Sequence, residues 1–197
     1  MSGTPRAAAA WHRPSGLLRS RRLGCDGTGY PPTWEAELLE VVWSMEQRNG
    51  QIVREMWETL LNRGDVGETE RFIADDFTNF LRPERGPAVW RQIVGVWRTA
   101  FPDVRITVDE EILSGTAVVH RVTARGTHSG ELRHPALGVI PPTARPVEWD
   151  QIHIFHVVAG KIASHWGTRN DIRMLQQIGA LTTQGQAWWE QAAHHVS

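Results

Sequence analysis

The sequence predicts an α+β domain in which a curved antiparallel sheet wraps around N-terminal helices and encloses a pocket. Three observations carry this reading. Apolar residues in the first half recur at helical spacing. From Val104 onward they alternate with period two. The stretch 147–178 reads as strand, tight turn, strand and short helix.

Composition bounds the possibilities. The 197 residues suffice for one domain with a core and some spare length. Hydrophobic residues at 41% and charged residues at 22% are ordinary for a soluble globular protein. A net charge of -1 gives no general attraction to nucleic acid or acidic membranes. No apolar run approaches the ~20 residues of a membrane span. The single cysteine, Cys25, excludes an intramolecular disulfide and points to a reducing, cytoplasmic setting. Ten tryptophans are many for this length, and Trp suits pockets and interfaces.

Residues 1–32 are rich in Gly, Pro, Ser and Arg without sustained period, and read as a disordered or flexible leader. Arg21 and Arg22 precede no apolar stretch, which argues against a secretion signal. The folded domain is expected over 33–180, with a tail over 181–197 that holds Trp188 and Trp189. Trp34, Leu38, Val41, Val42 and Met45 follow Thr33, a fair N-cap, at helical spacing. Asn49-Gly50 is expected to weaken or end that helix. A second helix carries Ile52, Val53, Met56, Trp57, Leu60 and Leu61, with Gly64 as its left-handed cap. A short helix over 66–73 leads into a short strand over 76–80. Pro87 opens a helix to Phe101 whose stripe is Trp90, Ile93, Val94, Trp97 and Phe101. Strands follow from Val104 and over 117–128, then a Pro-rich loop over 138–146. A helix over 170–178 closes the domain.

On the strand from Val147, one face carries Val147, Trp149, Gln151, His153 and Phe155. This face is expected to line the pocket. Its partner strand depends on the turn. A two-residue loop, Ala159-Gly160, pairs Val158 with Lys161 and places Trp166 opposite His153. A three-residue loop with Gly160 at a bulge pairs Val157 with Lys161 and places His165 opposite His153, with Gly167 opposite Gln151. The longer loop is preferred, because Gly160 followed by Lys161 suits the bulge. His153 and His165 then lie side by side as a candidate acid/base pair. The plainer reading is that they are core histidines bonded to each other or to Gln151. Glu148 and Asp150 point away. Ile152, Ile154 and Trp166 form an outward apolar set that predicts a subunit interface. His153 and His156 face opposite ways, and no third ligand converges, so no metal is expected.

The segments GTHSGE at 126–131, PPTARPVE at 141–148 and AGKIASHW at 159–166 resemble the SnoaL-like polyketide cyclase (ester cyclase) family. LLNRGD at 60–65, ADDFTNF at 74–80, AFPDVRITV at 100–108 and MLQQIG at 174–179 extend the resemblance over roughly residues 46–180. The resemblance implies the cone-shaped α+β barrel of the nuclear transport factor 2-like superfamily. It also implies a cofactor-free enzyme that closes a ring by intramolecular aldol condensation. His153 matches the family's pocket histidine and Asn79 a pocket asparagine on the first strand. The catalytic aspartate position is Gly167 here, and the acid three residues later is Asn170. Asp171 could replace the lost carboxylate, though capping the last helix suits it better.

These residues together lead to a small cofactor-independent enzyme acting on a polyketide or aromatic intermediate. His153 and His165 would be catalytic, and Asn79, Trp149, Gln151, Trp97 and Phe155 would bind substrate. The expected partners are a hydrophobic substrate and a second copy of the chain, without nucleic acid, membrane or metal. Because of Gly167, a non-catalytic binding protein of the same fold stays open, as do hydrolase, isomerase and hydroxylation chemistry.

Overall fold

The computed structural model of the chain describes residues 33–80 and 82–181. The expected leader over 1–32 with Cys25 and the tail carrying Trp188 and Trp189 lie outside the described residues. The chain divides into two compact units, 1–40 and 41–197. The described part of the first is the opening of helix α1 (Thr33–Met56), where Trp34, Leu38 and Leu39 are exposed. The second unit holds the remaining elements.

Helix α1 runs unbroken to Met56, so Asn49-Gly50 does not end it as the sequence led one to expect. Asn49 is buried and its amide donates to the carbonyl of Gly115 at 3.2 Å. A Cβ on Gly50 would lie 3.0 Å from both Leu113 and Glu111. The pair marks a close crossing of helix and sheet, and that contact outweighs the ~1 kcal/mol propensity penalty of glycine. The helix widens into a π-type turn over Trp57–Arg63 and stops at Gly64, whose φ of 82° makes it the left-handed cap. A 3₁₀ turn, Val66–Glu68, and the short α2 (Thr69–Phe72) follow.

The remaining elements are β1 (Ile73–Asn79), β2 (Arg82–Arg85), α3 (Pro87–Ala100), β3 (Arg105–Ser114) and β4 (Ala117–Thr127). Then come β5 (Leu132–His134), β6 (Gly138–Ile140), β7 (Pro146–Val158), β8 (Lys161–Arg169) and α4 (Asp171–Gln177). The small β5–β6 hairpin replaces part of what reads as loop in the sequence. Six strands form one curved sheet in the order β2-β1-β8-β7-β4-β3. Its neighbours are antiparallel except β1 and β8, which run parallel. The sheet is therefore mixed rather than wholly antiparallel. It is also an open cone rather than a closed barrel, with β2 and β3 as its edges. The parallel pair arises because β1 enters before the whole meander and meets its last strand only after a long crossover.

Period two on β4 and β7 holds as read. Val118, His120, Val122 and Ala124 are buried on one, and Val147, Trp149, Gln151, His153, Phe155 and Val157 on the other. They face Val53, Met56, Leu60, Trp90 and Val94 from the helices in one core. Each large apolar side chain buried there contributes roughly 1.5–3 kcal/mol. Two β-bulges break the simple alternation. One lies at Asp109 in β3, and after it Glu111 turns inward opposite His120 while Ile112 turns out. The other lies at Ala163 in β8.

Two glycines have opposite surroundings. A Cβ on Gly130 would lie 1.8 Å from the Thr99 carbonyl oxygen, whereas one on the exposed helical Gly95 would meet nothing within 4 Å. Gly130→Ala is expected to lower the unfolding free energy by about 2–4 kcal/mol. Gly95→Ala should raise it by about 0.5–1 kcal/mol. Urea denaturation of both variants checks the pair, and equal effects would contradict the packing described.

Candidate active site

The β7–β8 turn has two residues, Ala159 and Gly160, with φ of 50° and 79°. Positive φ at both is what a type I′ turn requires. The preferred three-residue loop is not formed, and Val158 pairs with Lys161. By itself the shorter turn would send Trp166 inward. The bulge at Ala163 restores the other parity: His156 pairs with Ser164, Phe155 with His165, His153 with Gly167 and Gln151 with Arg169. His165 and His153 thus share the inner face as diagonal neighbours rather than directly opposed ones, and Gly167 faces His153 instead of Gln151.

The rings meet closely. Asn79, brought beside His165 by the parallel β1–β8 pairing, places its amide nitrogen 2.9 Å from Nδ1 of His165. Nε2 of His165 lies 2.8 Å from Nδ1 of His153. Nε2 of His153 lies 2.9 Å from Oε1 of Gln151. The amide orientations set the direction of donation. Asn79 donates to His165, His165 donates from Nε2 to His153, and His153 donates from Nε2 to Gln151. Both imidazoles are then neutral. Burial holds the His153 pKa well below its ordinary value, with further depression from His165, Arg169 and His120. Burial, then Arg169, lowers that of His165 to about 3, although this ring keeps partial exposure.

Gly167 makes this contact possible. A Cβ there would lie 2.7 Å from Nδ1 of His153 and 3.0 Å from Nε2 of His165. A side chain at this position would force the pair apart, so glycine at 167 and the paired imidazoles are one feature.

The pair borders a cavity of about 460 Å³. Its wall includes Asn79, Trp97, Trp149, Gln151, His153 and His165, all named from the sequence, together with Trp57, Trp90, Ile93 and Arg169. Phe155 does not line it. That ring is fully buried behind the site, stacked on His165 at 4.8 Å and edge-on to Trp57 and Trp90. The indole N–H groups of Trp90 and Trp149 are buried and without a partner among the described residues. Asp171 does not replace the missing acid at the histidines: it makes two hydrogen bonds to Arg169, both 3.1 Å, while Asn170 caps α4 by accepting from the Arg173 amide. Arg169 stacks over Trp97, 4.8 Å from the ring centre.

Behind His153 lies a second buried network. His120 pairs across β4–β7 with His153, accepts a hydrogen bond at Nδ1 from the Trp57 indole (3.1 Å), and meets Glu111 through Nε2 (2.8 Å). Glu111 is also held by Arg54. Burial lowers the His120 pKa, partly opposed by Glu111. Sequence reasoning singled out neither residue; strict alternation from Val104 points Glu111 outward, and only the bulge at Asp109 turns it in to meet His120. Among the described residues no three His, Cys, Asp or Glu side chains converge as a metal site needs.

Two imidazoles joined in series, with tryptophans beside them and a curved sheet behind, thus border one cavity. The family model of the SnoaL-like polyketide cyclases matches residues 51–178, and the chain belongs to that family. The nogalonic acid methyl ester cyclase of Streptomyces nogalater is 27% identical over 135 residues, 64% of this chain and 95% of that one. IdmH of Streptomyces antibioticus, a proposed polyketide cyclase, superposes with a TM-score of 0.56 at 27% identity, covering 66% of this chain and 98% of its own. AclR of Streptomyces galilaeus, a proposed hydroxylase, superposes at 0.58 with 25% identity, covering 70% and 98%. The family supports a cyclase-type role and small hydrophobic polyketide substrates.

Depressed histidine pKa values carry a sign. Between the folded values and the ordinary 6.5, the unfolded chain binds protons that the folded chain refuses. Stability is therefore complete above about pH 6.5 and is lost on acidification. The unfolding free energy should begin to fall near pH 6.5 and, below about pH 6, approach a loss of about 1.4 kcal/mol per pH unit for each imidazole protonated only on unfolding. Urea titrations across this range check it, and a His153→Gln variant should decline less steeply than the parent.

Proposed function

We propose that this chain is a cofactor-independent cyclase acting on a polyketide or aromatic intermediate by proton transfer, with His153 and His165 as the acid/base pair. The observation that carries this is the hydrogen-bonded series Asn79–His165–His153–Gln151 on the wall of an apolar cavity. When Asn79 turns its amide to a substrate carbonyl, Nδ1 of His165 becomes free to take an acidic C–H proton. The Nε2 proton of His165 then leans toward Nδ1 of His153, and two rings share the charge that one buried ring would resist. The carbanion attacks a second carbonyl, a C–C bond forms, and the proton returns to the new alkoxide. Gln151 orients one carbonyl. The unpartnered indole N–H groups of Trp90 and Trp149 favour an oxygen-rich ligand, since buried donors left unmade cost about 1–3 kcal/mol each. Trp97 and Trp149, tilted by 36° to each other, belong to the wall against which an aromatic substrate would pack.

The test substrate is nogalonic acid methyl ester, after the relative's name. His153→Ala and His165→Ala are each expected to lower turnover by about 100-fold or more. Unchanged turnover in both would end this reading. The second reading, a binding protein of the same fold, is favoured by Gly167, and saturable binding of the ester without any product would support it. Restoring an aspartate at Gly167 does not separate the two, because its Cβ alone disrupts the imidazole pair.

We also infer a homodimer through the outer face of the sheet. Ile112, Val119, Ile154 and Trp166 align across β3, β4, β7 and β8 in one apolar row, with Ile112 62% and Trp166 41% exposed. One flanking row, Glu110, Arg121, Ile152 and Thr168, adds the exposed Ile152 to this surface, and the other runs through Ser114, Ala117, His156 and Ser164. Monomers rarely leave such a stripe in water. Ile112→Glu with Ile154→Glu should convert the dimer to monomer in analytical ultracentrifugation. A monomeric parent chain would contradict the interface.

A further inference from the structure

We propose that Arg169 is the group of this cavity that holds negative charge on a substrate oxygen, so that the bound molecule passes through an enolate anchored at its guanidinium. The inference rests on the proton-transfer reading and names the group that reading lacks.

The geometry is that of a prepared donor. Arg169 sits on the inner face of β8, opposite Gln151, and lines the same cavity as the two histidines. Asp171 grips its Nε and Nη2 edge through two hydrogen bonds. Trp97 lies flat beneath the guanidinium at 4.8 Å, a cation–π contact that fixes the plane. Trp97 is itself packed on Trp149 and Phe101. Nη1 has no partner among the described residues. A guanidinium fixed on two sides with one N–H edge unused costs little reorganisation when charge develops beside it.

The electrostatics agree. Arg169 is the charged group that bears on both His153 and His165, and no carboxylate offsets it at either ring. Arg169 lowers the basicity of both rings although Asp171 pairs with it. Neutral imidazoles whose basicity is depressed are weak bases, so they need help from the product side. Stabilising the enolate supplies it. The C–H bond breaks, its proton goes to the imidazole, and the electron pair moves onto the carbonyl oxygen that accepts from Nη1. That pair then forms the C–C bond to the second carbonyl carbon, and the imidazolium returns the proton to the resulting alkoxide.

The probe is 4-nitrophenol, an aromatic whose phenolate absorbs in the visible, so its ionisation reads the site without turnover. The parent chain should bind the phenolate about tenfold more tightly than the phenol. Arg169→Gln and Arg169→Met, with folding verified by circular dichroism, should reverse that preference. Asp171→Asn should strengthen it by removing the opposing charge. Preferential binding of the neutral phenol by the parent chain, or an unaltered phenolate preference in the Arg169 variants, overturns the assignment and leaves the histidine reading standing. Full turnover in the His153 and His165 variants, with phenolate preference lost in Arg169→Gln, removes the histidine reading and keeps the anion site. No saturable binding to the parent chain overturns the anion site, and the histidine reading is then decided by turnover in its own variants.

Discussion

One extra residue in one strand determines what this cavity contains. Ala163 is accommodated as a bulge in β8, and everything after it on that strand is turned by one position. Without the bulge, the two-residue turn at Ala159-Gly160 would bring Trp166 inside and put His165 and Arg169 in water. With it, His165, Gly167 and Arg169 share the inner face with His153 and Gln151. A side-chain period of two makes such a slip an all-or-none change.

A second bulge, at Asp109 in β3, acts in the same way on the other side of the sheet. It turns Glu111 inward to meet His120, whose other nitrogen accepts from Trp57. Trp57 in turn stands edge-on to His153 at 5.0 Å. The wall of the site is thus held by a buried polar series running outward to Arg54. The two bulges position different halves of one constellation. The imidazole pair faces the cavity, and behind it a satisfied network keeps the indole from turning.

Glycine stands at 167, where the family resemblance led one to expect an aspartate. The packing gives the glycine its meaning. Glycine at 167 is the vacancy into which two imidazoles close to 2.8 Å. Burial is the main reason both histidines stay neutral, and Arg169 adds to it at each ring.

Alternation and helical spacing by themselves determined the class of fold, the inward faces of β4 and β7, the α3 stripe, and the membership of His153, Gln151, Trp149 and Trp97 in the pocket wall. Those are properties of local period, written into consecutive residues. The family segments placed Asn79 and singled out Gly167. What the sequence could not determine is where the period breaks. A bulge is chosen by the pairing of two strands, and the choice at Ala163 was resolved only by β7 and β1 on either side of β8. The preferred loop was wrong although the shared face of His153 and His165 was right, because two irregularities of opposite sense end at the same parity. The continuity of α1 through Asn49-Gly50, the parallel β1–β8 pair, the unclosed sheet and the inward Glu111 likewise depend on contacts between segments far apart in the chain. Only the folded molecule brings those contacts together.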